Sequence, residues 1–161
     1  LFRSSILNHV CRLDMERSKK TGMPEDDFDK MPQPFRNTTV ESVMAYMKAQ
    51  FSYWTEDETA CNFRRMLTLE QYRNPEMANL YQKVLASGPV NYIEDLFREM
   101  MLSGTWLEGS PRQMAVEFFA PFYLLLSMSD AASGKEEKEK VAVLFTTHLE
   151  CFVETYAAKM P

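Results

Sequence analysis

At 161 residues, with 45% hydrophobic and 25% charged side chains, the chain has the size and composition of one globular domain, which excludes a disordered or fibrous protein. A formal net charge of −5 excludes a surface built to neutralise phosphates, because nucleic-acid affinity rests on clustered Lys and Arg. Cys11, Cys61 and Cys151 are far apart and odd in number, so they form neither a disulfide framework nor a metal knuckle, and a reducing, cytoplasmic compartment is expected. No run approaches the ~20 apolar residues of a membrane span, and no charged-then-apolar leader opens the chain. Membrane is therefore not an expected partner. Leu1 stands inside a helical pattern without an initiating Met, which reads as a fragment.

Scarce Gly, abundant Met and Leu and few β-branched runs predict an all-α fold, since straight side chains lose little rotamer freedom on a helix. Phe2, Ile6, Val10 and Leu13 recur at helical spacing up to about residue 20. Gly22, Pro24 and the acidic Glu25, Asp26, Asp27 and Asp29 then mark a long loop up to Asn37. Capping boxes are expected at Thr38 with Glu41, Thr55 with Glu58, Ser110 with Gln113 and Ser133 with Glu136, where side chains satisfy amides left unpaired at a helix start. Asn74-Pro75 and Ser110-Pro111 put proline at the first helical position. The remaining helices are predicted at 38–54, 56–69, 75–86, 89–103, 111–129 and 134–157, about seven in all. Gly104 is a stop signal. Pro121 lies within the 111–129 helix, where a kink or break is expected; the carbonyl of Glu117 that it frees turns either into packing or toward a ligand.

Catalytic chemistry is poorly supported. His9 and His148 are the only histidines; His148 and Cys151 share a helix face, which fits packing and also, as a rival reading, a cysteine-dependent enzyme using Cys151 or Cys61. There is no glycine-rich phosphate loop, HExxH or CxxC, and neither a cofactor nor a metal is expected. Arg64 and Arg65 fit pairing with an acidic side chain or with an anionic ligand. The chain is rich in soft and aromatic groups, with 12 Met and 11 Phe, which either fill the core or line an adaptable apolar pocket. Met44, Met47, Phe51 and Trp54 share one face, and Phe97, Met100, Met101, Phe118 and Phe122 offer others.

The stretch CNFRRMLTLEQYRNPEMANLY (Cys61 to Tyr81), then IEDLFREMMLSG (Ile93 to Gly104), PRQMAVEFFAPFYLLL (Pro111 to Leu126) and HLECFVETY (His148 to Tyr156) resemble, in order and spacing, the effector domains of TetR-family bacterial transcriptional regulators. Leu1-Phe2 and Ile6-Leu7 resemble the start of the helix that follows the DNA-reading head. The resemblance implies a single effector-binding and dimerising domain over 1–161, with a helix-turn-helix head upstream of residue 1 and operator DNA contacted only through that head. It implies a pocket for a small apolar or aromatic effector, lined by Met44, Met47, Phe51, Trp54, Phe63, Phe97, Met100, Phe118 and Phe122, with polar closure from Tyr53 or Arg64. It further implies a homodimer whose last two helices build a four-helix bundle through Tyr123, Leu126, Val141, Leu144, Phe145, His148, Leu149, Phe152 and Tyr156. The last helix does carry an apolar stripe wide enough for a core and a second subunit. The function implied is allosteric control of DNA binding, as a repressor, without catalysis; a ligand-free homodimeric scaffold is the other reading.

Overall fold

The computed structural model describes residues 38–158. Among them the chain is all-α, with six helices: α1 (Val40–Glu56), α2 (Glu58–Glu70), α3 (Pro75–Leu85), α4 (Ser87–Leu102), α5 (Pro111–Ala131) and α6 (Lys135–Tyr156). They correspond to the six helices expected after residue 37. The helix expected near 1–20 and the acidic loop at 22–37 lie outside the described residues.

The helix starts are set by short-range hydrogen bonds, and several differ from expectation. Ser110 caps α5, its hydroxyl accepting from the Gln113 N–H at 3.3 Å, and Asn74 caps α3 by accepting from Glu76 N–H at 2.9 Å. The cap of α1 is Thr39 with Ser42, not Thr38 with Glu41: each side chain accepts from the other's backbone N–H. The cap of α2 is Asp57, whose carboxylate accepts from Ala60 N–H at 2.8 Å. An ionised acceptor beside the positive end of a helix outcompetes a hydroxyl, and Thr55 instead donates back to Phe51 O within α1. At α6 the contacts are reversed, with Ser133 N–H and Oγ–H both donating to the Glu137 carboxylate. Gly104 adopts φ +76° after α4, the left-handed stop expected there. α5 runs through Pro121 without a break.

The core is aromatic. Phe51 of α1 stacks on Phe145 of α6 at 4.5 Å, and Phe122 of α5 meets both edge-on. A second cluster joins Phe97 of α4, Phe118 of α5, Phe152 of α6 and Trp106 of the α4–α5 loop, with ring centres 4.8–5.8 Å apart. Fully burying each ring contributes about 1.5–3 kcal/mol, with a further increment for edge-to-face geometry. Trp106 is held in place by main-chain pairing of its neighbours with the end of α6: Leu107 N–H donates to Tyr156 O and Ala158 N–H to Thr105 O. Its indole N–H donates to the Met100 sulfur at 3.0 Å.

α5 is long and apolar enough, by length and composition, to cross a membrane, contrary to the expectation that no run approaches that length. Part of that character is explained by its inward face, where Met114, Phe118, Phe122, Leu125 and Leu126 are buried in the core.

Candidate functional site

A cleft of about 210 Å³ opens between α1 and α4. Val43 and Met47 of α1 and Ile93 and Leu96 of α4 form its walls, Phe118 of α5 its floor, and Thr38, Ser42, Tyr46 and Tyr92 supply its hydroxyl groups. The Tyr46 and Tyr92 rings face each other with centres 6.3 Å apart. Among the described residues no charged side chain lines the cleft. A volume below the ~300 Å³ at which drug-sized pockets begin suits a single ring or a short chain.

Of the nine residues expected to bind ligand, Met47 and Phe118 line this cleft. The other seven do not. Phe51, Phe97 and Phe122 are members of the two ring clusters, and Met100 receives the Trp106 indole. Trp54 and Phe63 are buried on α1 and α2, and Met44 is half-buried. The cleft residues Val43, Tyr46, Tyr92, Ile93 and Leu96 were not singled out from the sequence. Their signal is the i, i+3, i+4 spacing on α1 and α4, but the Met and aromatic residues that mark an apolar pocket chemically are more concentrated on the neighbouring stripe of α1, which is turned into the core.

The polar groups considered for ligand closure are already engaged. Arg64 is buried, and its guanidinium forms a two-pronged pair with Asp130 at 2.7 Å while donating to Trp54 O at the end of α1. Arg65 donates to the same carboxylate at 2.8 Å. Burial pushes the Asp130 carboxyl up, yet the hydrogen bonds and charges of the two arginines outweigh it and hold the group below its ordinary value. Glu117, behind Pro121, is exposed and is not among the cleft residues; its carboxylate accepts from the Tyr156 hydroxyl and from Gln113. Those two hydrogen bonds lower its pKa. His148 Nε2 lies 2.9 Å from Phe118 O, tying α6 to α5 near the proline. Cys61 donates to Trp54 O and is buried, whereas Cys151 is exposed. The described residues hold no cluster of three metal-ligating side chains.

The nine residues expected at a dimer seam divide by depth. Leu126, Val141, Phe145, Leu149 and Phe152 are buried in this chain's own core; Tyr123, His148 and Tyr156 are half-buried, and Leu144 is exposed. α5 and α6 run antiparallel, with Phe118 against His148 and Phe152, and Phe122 against Phe145. In that register Leu124 lies level with Val143 and Leu144. Leu124 and Val143 are each 63% exposed and Leu144 50%, and Val116 and Met128 extend the apolar row along α5. Glu117 is the one charged residue between 113 and 129.

No protein-family model matches the chain, and neither a curated protein nor a solved structure is significantly similar to it.

Proposed function

We propose that this chain is the effector-sensing and dimerising domain of a TetR-like bacterial transcriptional regulator, acting in the cytoplasm and without catalysis. The observation that carries the reading is the outward face of α5. A helix whose inward side is filled by phenylalanines still presents Val116, Leu124 and Met128 to solvent, beside Val143 and Leu144 of α6. Contiguous exposed apolar surface marks an association site. The occupant is a second copy of the chain. A two-fold contact sets one patch against itself, so like charges in it would meet; a charge-poor stripe avoids that penalty.

The effector is a small, mostly apolar molecule seated in the α1–α4 cleft, whose floor residue Phe118 belongs to the same helix as the association face. A ligand preferring one arrangement of α1 and α4 biases α5 and therefore the pairing of subunits. DNA is read by a helix-turn-helix domain of the parent protein, and effector binding changes the separation of two such heads.

Sedimentation equilibrium at micromolar concentration is expected to give twice the mass of the chain; a monomer at tens of micromolar refutes the proposal. In thermal-shift measurements, small neutral aromatic compounds stabilise the protein, and Leu96→Trp, which fills the cleft, removes the effect.

A further inference from the structure

The Ser42 hydroxyl is committed by the helix start to which it belongs. Its oxygen accepts from Thr39 N–H at 3.1 Å, and its hydrogen is donated to Thr39 O at 2.8 Å. That carbonyl also accepts from Val43 N–H at 3.1 Å, so Ser42 is tied to the first turn of α1 from both directions. Swinging the hydrogen elsewhere would give up a bond that steadies the reciprocal cap. A hydroxyl has one hydrogen and two lone pairs. Ser42 therefore has one lone pair left to offer, and no donor.

Ser42 also lines the α1–α4 cleft, which is graded in depth. Val43, Ile93, Leu96 and Phe118 are buried, whereas Ser42 is exposed and Thr38, just ahead of the helix, is half-buried. Ser42 and Val43 are successive residues, about 1.5 Å apart along the helix axis, so a guest resting on Val43 has its outer end level with Ser42. An occupant that seals this rim takes water away from it. A lone pair cut off from water is compensated only by a donor. An ionised guest finds no opposite charge, because no charged side chain among the described residues lines the cleft and Glu41 stands in the first turn of α1. An apolar cavity of about 150 Å³ admits benzene, and a volume of about 210 Å³ leaves room for one ring with a small substituent.

We propose that the molecule taken by the α1–α4 cleft is a neutral phenol or alcohol the size of one substituted ring, and that Ser42 selects it by accepting its O–H. The inference rests on the reading of this cleft as the sensing site, and adds to it the chemical class of the ligand. Ethers and hydrocarbons of the same size fill the apolar floor equally well but bring no donor to the rim. A site built to pair with a ligand hydroxyl discriminates against analogues that lack it. The device that caps α1 thus also fixes the polarity of the cleft's edge.

The test uses p-cresol and anisole, isomers that differ in having or lacking an O–H, together with toluene and benzoate. Dissociation constants from NMR titration of the wild-type protein should place p-cresol at least about fivefold below anisole and toluene, with benzoate weakest. Ser42→Ala keeps the cap that Thr39 places on the N–H of residue 42; it should bring the p-cresol to anisole ratio near one while anisole still binds. Ser42→Thr retains a hydroxyl and should retain the preference. Leu96→Trp should abolish binding of all four probes. Equal binding of p-cresol and anisole, both lost in Leu96→Trp, overturns the selection by Ser42 and leaves the cleft as a sensing site. A preference that survives in Ser42→Ala, or benzoate binding more tightly than p-cresol, likewise overturns it. If no probe binds, or if p-cresol still binds Leu96→Trp, the assignment of the cleft as the ligand site falls together with this inference.

Discussion

The two sides of α5 are held in different ways. Toward α1, α4 and α6 it is fixed by interlocked rings, with Phe118 and Phe97 fully buried. Toward α2 it is bridged by the pairs that Asp130, near its C-terminal end, makes with Arg64 and Arg65, and no Cα of α2 comes within 8 Å of it. Ring packing is short-ranged and loses energy steeply with separation. Guanidinium-carboxylate bridges on long stems tolerate adjustment of the helices they join. The ring side is thus the frame, and the bridged side is where helices can move relative to it.

The largest effect should come from opening the frame. Phe97→Ala removes the ring that touches Trp106, Phe118 and Phe152 together, and is expected to cost about 3–5 kcal/mol in denaturant unfolding. A cost near 1 kcal/mol would mean that the clusters are loosely packed, and the contrast between the two sides would vanish. Arg64→Ala should come next, at about 2–4 kcal/mol, because it leaves Trp54 O with the weak Cys61 thiol alone and strips the Asp130 carboxylate of its buried partner. Arg64→Lys should not restore the loss, since a point ammonium cannot span both acceptors of the fork.

Acid should act on the bridged side first. The folded pKa of Asp130 is depressed, so the native state holds this carboxylate ionised at a pH where the unfolded chain, near ~3.9 for an ordinary Asp, already binds a proton. Its contribution is complete above the unfolded value and is lost as pH falls through the depressed folded value. In unfolding midpoints measured from pH 6 to 3, the wild-type protein should therefore lose stability below about pH 4, and Asp130→Asn should start lower and decline less. Parallel curves would show that the pair carries no linkage.

How much of this could be read from the sequence depended on the range of the interaction. Helices of α1 to α6 were legible within about two residues, because Ser110, Asn74-Pro75 and Gly104 act on their own neighbours. Caps were misassigned where two candidates compete over one or two positions, as with Thr38 and Thr39, or Thr55 and Asp57. The partner of Arg64 lies 66 residues away, and nothing local selects Asp130 from 23 acidic residues. Similarly, Met44, Phe51 and Phe122 carry the chemistry of a pocket wall, but whether such a side chain meets space or another ring is decided by helices brought together in the fold. The stripe of α6 was recognised as wide enough for two partners; which of its members face inward followed only from the register of Phe122 on Phe145.

The smallest effect on folding should accompany the clearest effect on assembly. Leu124 projects outward from α5, away from the rings, and makes little use of this chain's own core. Leu124→Glu should change the unfolding free energy of the monomer by no more than about 0.5 kcal/mol, the usual scale for a surface substitution. In the proposed dimer the same change buries a carboxylate in an apolar seam and, by the two-fold, sets it near its own copy, so the penalty is counted on both subunits. The variant should sediment as a monomer at concentrations where the wild-type protein is dimeric, while its circular dichroism and ligand-free monomer stability remain those of the parent. Phe152→Glu provides the contrast, because Phe152 is buried among Phe97, Trp106 and Phe118, and a charge there should unfold the chain instead of separating two folded copies. Were Leu124→Glu to stay dimeric, the association face would have to lie elsewhere on the surface, and the apolar row on α5 would lose its assignment.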